Sequence, residues 1–95
     1  MNRFTSFVVD DMEQANAMLQ EDLKEMFPDM EIIGTAYSII EAAKKLQSLK
    51  PDILYLDIML KDGTGFELLE ILPNLKAKVI FVTASDMYAI KAFKY

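Results

Sequence analysis

A carboxylate placed at the end of an apolar strand constrains this chain more than any other feature. Residues 51–66 read Pro51-Asp-Ile-Leu-Tyr-Leu-Asp57-Ile-Met-Leu-Lys-Asp62-Gly63-Thr-Gly65-Phe66. Ile53 to Leu56 has the length and composition of a strand covered on both faces, and a charge seldom follows such a run without a partner or a task. Asp62-Gly63 and Gly65 supply turn chemistry, and Phe66 opens a helical pattern. Read from this window alone, Asp57 is equally well explained as a strand end meeting water. The other strand ends shift that balance: an acidic pair closes Phe7-Val8-Val9-Asp10-Asp11, and a hydroxyl closes Val79-Ile-Phe-Val-Thr83-Ala84-Ser85.

In chain order, Phe4 to Val9 predicts a first strand. Met12 to Phe27 then predicts a helix with an apolar face of Ala15, Leu19, Leu23, Met26 and Phe27. Asp11, with Gln14 three residues on, is placed to cap that helix, and Met18 and Met26 read as core filler. Pro28-Asp29 ends it, and Glu31 to Ala36 predicts a second strand. Ser38-Ile-Ile-Glu41 is a capping-box pattern opening a helix with Ile39, Ala42, Ala43, Leu46 and Leu49 on its apolar face. After the third strand, Phe66, Leu68, Leu69 and Leu72 predict a short helix that stops at Pro73. Lys78 to Thr83 predicts the fourth strand, and Asp86 is placed to cap a tail helix bearing Ala89, Ile90 and Phe93.

Strands alternating with helices imply βαβ units, so the predicted fold is an α/β, flavodoxin-like, doubly wound parallel sheet in the order 2-1-3-4. Parallel strands put their carboxyl ends on one edge, which gathers Asp10, Asp11, Asp57 and Thr83. The 95 residues make one domain. With no Cys and no His, thiolate chemistry, Ser-His arrangements and structural zinc are excluded. A formal net charge of -5 opposes direct nucleic-acid binding. No apolar run has the length of a membrane span and no signal peptide opens the chain, so the expected location is cytoplasmic.

Converging carboxylates repel unless one is protonated or a cation is bound. A hard, oxygen-preferring ion such as Mg2+ suits a site with few protein ligands and no imidazole. It would neutralise charge as a phosphoryl group arrives on a nucleophilic carboxylate, and Thr83 could hydrogen-bond that group.

These residues carry a resemblance. Asp10-Asp11, Asp57-Ile-Met-Leu-Lys-Asp62-Gly63-Thr-Gly65-Phe66 and Thr83-Ala84-Ser85 resemble the receiver domain of bacterial two-component response regulators, across essentially the whole chain. The resemblance implies a phosphoacceptor at Asp57 served by a sensor histidine kinase. It also implies Mg2+ held by Asp10, Asp11, Asp57 and the backbone carbonyl of Met59, with Thr83 as the hydroxyl that turns towards the phosphoryl group. On that footing the chain is a signalling domain rather than an enzyme acting on outside substrates, and it relays its signal to an output domain or protein partner. Thr83 to Tyr95 is similar to receivers that precede a LytTR-type DNA-binding domain, which implies transcription regulation.

Family members continue into a fifth strand, which ends in a phosphate-pairing lysine, and a fifth helix; this sequence stops before both. Lys91 and Lys94 are read as solvated helix charges and take no share of that lysine's role, and Tyr88 and Tyr95 are not assigned the family's aromatic switch. A C-terminally incomplete receiver leaves the fourth strand as an apolar edge, so homo-oligomers through that edge or the tail helix are expected. The alternative reading is a receiver-like interaction module that takes no phosphate. A phosphohydrolase ranks last, because the second residue after Asp57 is Met59 rather than a second acid.

Overall fold

A computed structural model describes residues 4–82 of the chain. Its elements in order are β1 (Phe4–Val9), α1 (Glu13–Met26), β2 (Met30–Ala36), α2 (Ile39–Leu46), β3 (Ile53–Asp57), β4 (Met59–Leu60), β5 (Gly63–Thr64), α3 (Gly65–Ile71) and β6 (Lys78–Val82). Four strands form one sheet in the order β2-β1-β3-β6, all parallel, which is the predicted 2-1-3-4 arrangement. β4 and β5 form a separate antiparallel pair.

Both faces of the sheet are used, as the near-continuous apolar strands require. Phe7, Val9, Leu54, Leu56 and Phe81 face α2 and α3, where they meet Ile39, Ala42, Leu46 and Leu68. The intervening Val8 and Tyr55 face Leu23 of α1. This alternation is the period of two expected of strands, applied to a sheet with helices on each side. Phe66 of α3 sits with its ring centroid 4.8 Å from that of Phe81. At the opposite end from the acids, Asp52 ties three strands together. Its Oδ2 accepts from the Thr5 backbone N–H at 2.8 Å, and its carbonyl accepts from the Lys78 N–H at 2.9 Å.

α1 departs from expectation in two respects. Asp11 does not cap it: Met12 stands at the N-cap with no side-chain bond, and Asp10 Oδ1 accepts the Met12 N–H at 3.0 Å. The strand ends in a turn over which Asp10 folds back on the chain, so the local acceptor is the first acid of the pair. The apolar stripe also holds only in part: Leu23 faces the sheet with Leu19 packed beside it, but the stripe fails at the carboxyl end of the helix. Its buried residues are Asn16 and Leu23, whereas Met18 and Met26, read as core, are 63% and 64% exposed. Met26 and Phe27 instead border an apolar cavity of about 530 Å³ with Phe4, Ile53, Tyr55 and Ile80.

α2 opens as predicted, with Ser38 Oγ accepting the Glu41 N–H at 3.1 Å. The reciprocal bond shifts by one residue, Glu41 Oε1 taking the Tyr37 N–H at 2.7 Å. α3 is capped by Thr64, whose Oγ1 accepts the Glu67 N–H at 3.3 Å. The predicted tail helix, with Asp86, Lys91 and Lys94, lies outside the described residues, as does Thr83 at the predicted end of the fourth strand.

Candidate functional site

Register decides which side chains meet at the carboxyl edge. Val9 of β1 pairs with Leu56 of β3, so Asp10 and Asp57 follow at the same level on adjacent strands, and Asp11 extends the cluster. Carboxylate oxygens of Asp10, Asp11 and Asp57 all lie within 4.8 Å of one another. Asp10 is buried at 8% exposure, while Asp11 and Asp57 are half-buried.

The backbone of this edge is held from below. Asp10 N–H donates to Ala36 O at 3.1 Å, joining the ends of β1 and β2. The fully buried Asn16 side chain donates to Asp10 O at 3.2 Å and to Ala36 O at 3.4 Å. Asn16 Oδ1 in turn accepts from Thr35 Oγ1 at 2.8 Å. Lys45 of α2 donates to Thr35 O at 2.8 Å and pairs with Glu41 at 3.0 Å. No sequence pattern flagged Asn16, because a single amide in an amphipathic helix carries no periodic signal.

The loop after β3 closes back on its own strand end. Asp57 Oδ1 accepts the Met59 N–H at 3.3 Å, and Gly65 N–H donates to Ile58 O at 2.7 Å. A Cβ on Gly65 would stand 2.5 Å from the Asp57 carbonyl oxygen, so only glycine allows that approach. Asp62, read in the sequence only as turn chemistry, reaches α2: its two carboxylate oxygens accept the N–H groups of Ile39 and Ile40 at 2.9 and 3.2 Å. Those bonds, the Ile39 one foremost, hold its carboxyl below the ordinary value.

Electrostatics single out Asp57. Burial first, then the charge of Asp10 and to a lesser extent that of Asp11, push its carboxyl up to about 6, against the lowering effect of the Met59 and Ile58 amides. The donor set is entirely oxygen, with no thiol or imidazole in the chain, and its members repel one another. Both properties fit a hard divalent cation such as Mg2+, whose charge would relieve that repulsion. The structure thus brings together all three predicted site carboxylates, with Met59 beside them and 55% exposed.

Residues 7–95 match the response regulator receiver domain. The chain belongs to that family. This receiver is 44% identical over 91 residues to an uncharacterized response regulatory protein of Vibrio parahaemolyticus, covering 95% of this chain and 37% of that one. It is 43% identical over 89 residues to the sensory transduction protein LytT of Bacillus anthracis, covering 92% and 36% respectively. The receiver therefore spans little more than a third of the length of these curated relatives. Among solved structures it is similar to the response regulator domain of Thermotoga maritima CheB, at a TM-score of 0.75 and 27% identity over 98% of this chain and 72% of that one. The MaeR response regulator bound to beryllium trifluoride gives a TM-score of 0.78 and 26% identity, over 96% of this chain and 75% of that one. Among the described residues no helix is long and apolar enough to cross a membrane.

Proposed function

We propose that residues 1–95 form a phosphoacceptor receiver domain in which Asp57 takes a phosphoryl group from a sensor histidine kinase. The observation that carries this reading is the convergence of Asp10, Asp11 and Asp57 within 4.8 Å at the carboxyl edge of a receiver fold. Asp57 is the nucleophile. Its carboxylate oxygen forms the new bond to phosphorus as the donor's phosphorus–nitrogen bond breaks and the electron pair stays on the imidazole nitrogen. A folded-state value of about 6 leaves Asp57 mostly ionised at neutral pH, so it can attack. Asp10, Asp11, Asp57 and the Met59 carbonyl would hold Mg2+. When bound, the ion supplies the positive charge that offsets repulsion between the acids and the incoming phosphoryl oxygens.

Thr83 would then hydrogen-bond the phosphoryl group and bias the chain that follows, relaying the signal to an output domain or partner protein. Similarity to sensory transduction proteins named LytT supports the signalling role. With the resemblance of Thr83 to Tyr95 to receivers that precede a LytTR-type domain, the output would be DNA-binding and the protein cytoplasmic and transcription-regulating. The acidic receiver itself would not touch nucleic acid. Among the described residues β6 pairs on one side only and Ile80 is 43% exposed, which supports self-association at that edge when nothing else covers it.

The rival is an interaction module with the same fold that takes no phosphate; the intact acid cluster favours the phosphoacceptor. Acetyl phosphate labelling followed by mass spectrometry of the intact protein separates the two. Mg2+-dependent addition of one phosphoryl group, abolished by Asp57→Ala, is the expected result. Labelling that persists in Asp57→Ala moves the acceptor elsewhere, and none in the wild type favours the interaction module.

A further inference from the structure

We propose that Asp62 is a positioning residue, clamping the tip of the loop that carries Asp57 onto the amino end of α2 and so fixing the geometry of the acidic cluster. The role rests on the phosphoacceptor reading of Asp57. Three features of the loop support it.

First, both oxygens of one carboxylate are used, and on another element. Ile39 N–H donates to Asp62 Oδ1 and Ile40 N–H to Oδ2, across 23 and 22 residues of sequence. α2 already has a local cap in Ser38, so the helix start does not depend on Asp62 alone. Charge-assisted bonds to free N–H groups at a helix start are the stronger kind, and the lowered Asp62 titration agrees with the geometry.

Second, the backbone beside Asp62 is pressed against the same helix. Gly63 has φ 146°, and a Cβ there would lie 2.7 Å from Ile39 Cδ1. The same Cβ would lie 2.7 Å from Glu67 Oε2, so the Ile39 side chain and that of Glu67 close on the loop at this point.

Third, the loop is short and bonded through its length. Met59-Leu60 pairs with Gly63-Thr64, Gly65 N–H reaches Ile58 O at 2.7 Å, and Met59 N–H reaches Asp57 Oδ1 at 3.3 Å. Leu60 anchors one arm in the core at 6% exposure, and Asp62 is the polar hold at the exposed tip. A hold at the tip limits the angular freedom of the hairpin, and with it the placement of Met59 against Asp57.

The test compares Asp62→Ala with Ser38→Ala in the full chain, since each removes an acceptor from the first turn of α2. If Asp62 merely supports the helix, the two variants behave alike. If it clamps the loop, amide exchange at Met59 and Gly65 accelerates at least about tenfold in Asp62→Ala and stays at the wild-type rate in Ser38→Ala. In the same variant Mg2+ binds about 10-fold more weakly by titration, the usual size of an outer-shell loss, and acetyl phosphate labels Asp57 more slowly. Unchanged exchange at Met59 and Gly65 in Asp62→Ala, or equal acceleration in Ser38→Ala, overturns the clamp. A wild-type chain that neither binds Mg2+ nor takes a label overturns the phosphoacceptor reading instead, and amide exchange then decides the clamp alone.

Discussion

Asn16, with no exposed surface, donates its side-chain amide to the backbone carbonyl of Asp10 at 3.2 Å, so the first acid of the cluster is held from inside α1. The same amide reaches Ala36 O, and its oxygen accepts from Thr35 Oγ1 and Gln20 Nε2. Both amide hydrogens and the amide oxygen are therefore engaged, which is the condition under which a buried amide is tolerated.

Replacing it by a residue of similar size without polar atoms tests what that network contributes. Asn16→Leu keeps the volume but strands the buried Asp10 carbonyl, and an unsatisfied buried group costs about 1–3 kcal/mol. A loss of about 2 kcal/mol in urea denaturation is expected. An unchanged midpoint would mean that the bonds have no net worth.

Gly65 gives a second, steric prediction. A Cβ there would lie 2.5 Å from the Asp57 carbonyl oxygen and 2.9 Å from Leu56 Cγ, so Gly65→Ala must displace the strand end that carries Asp57. Overpacking of this kind costs about 1–3 kcal/mol, more than the gain of up to about 1 kcal/mol from better helix propensity at the start of α3. A melting temperature lower by roughly 5–10 °C is expected, with slower labelling of Asp57 well below the transition. A variant as stable as wild type would show that the loop can retreat.

The strands of the sheet were legible because each is an apolar run between breakers, and their parallel order follows from the helices between them. The acid cluster was legible for the same reason: topology alone carries Asp10, Asp11 and Asp57 to one edge. What escaped was non-local. Asp62 has a sufficient local explanation as a turn residue, and nothing in the sequence points it at Ile39 and Ile40. In α1 the stripe holds at Leu19 and Leu23. A reading that seeks apolar periodicity cannot turn the Asn16 amide inward, and helical spacing alone placed Met18 and Met26 in a core they do not enter. β4 and β5, two residues each, are too short for any periodicity to show.

The elevated Asp57 carboxyl yields a prediction with a definite sign. Its folded value of about 6 lies above the ordinary 3.8, so below about pH 4 the group is protonated in folded and unfolded chains alike and contributes nothing. Between about pH 4 and 6 the unfolded chain releases the proton first, and above 6 both states are ionised with the folded one carrying a penalty. A shift of this size corresponds to about 3 kcal/mol at full strength. Asp57 is half-buried, so solvent screening reduces that to about 1–2 kcal/mol. Glu41 and Asp62 titrate with lowered values and act in the opposite sense, losing stability as pH falls, so the wild-type curve alone mixes the two effects. The difference between Asp57→Asn and wild type isolates Asp57. Metal-free, it should be near zero at pH 4 and grow to about 1–2 kcal/mol in favour of the asparagine variant at pH 7. Added Mg2+ should close the gap, because binding to the folded wild-type cluster stabilises that state and the variant has lost one of its carboxylates. Chemical denaturation across pH 4 to 7, with and without the ion, measures both. A gap that is independent of pH would mean that Asp57 titrates normally, and a gap that Mg2+ leaves untouched would mean that the three acids do not hold the ion together.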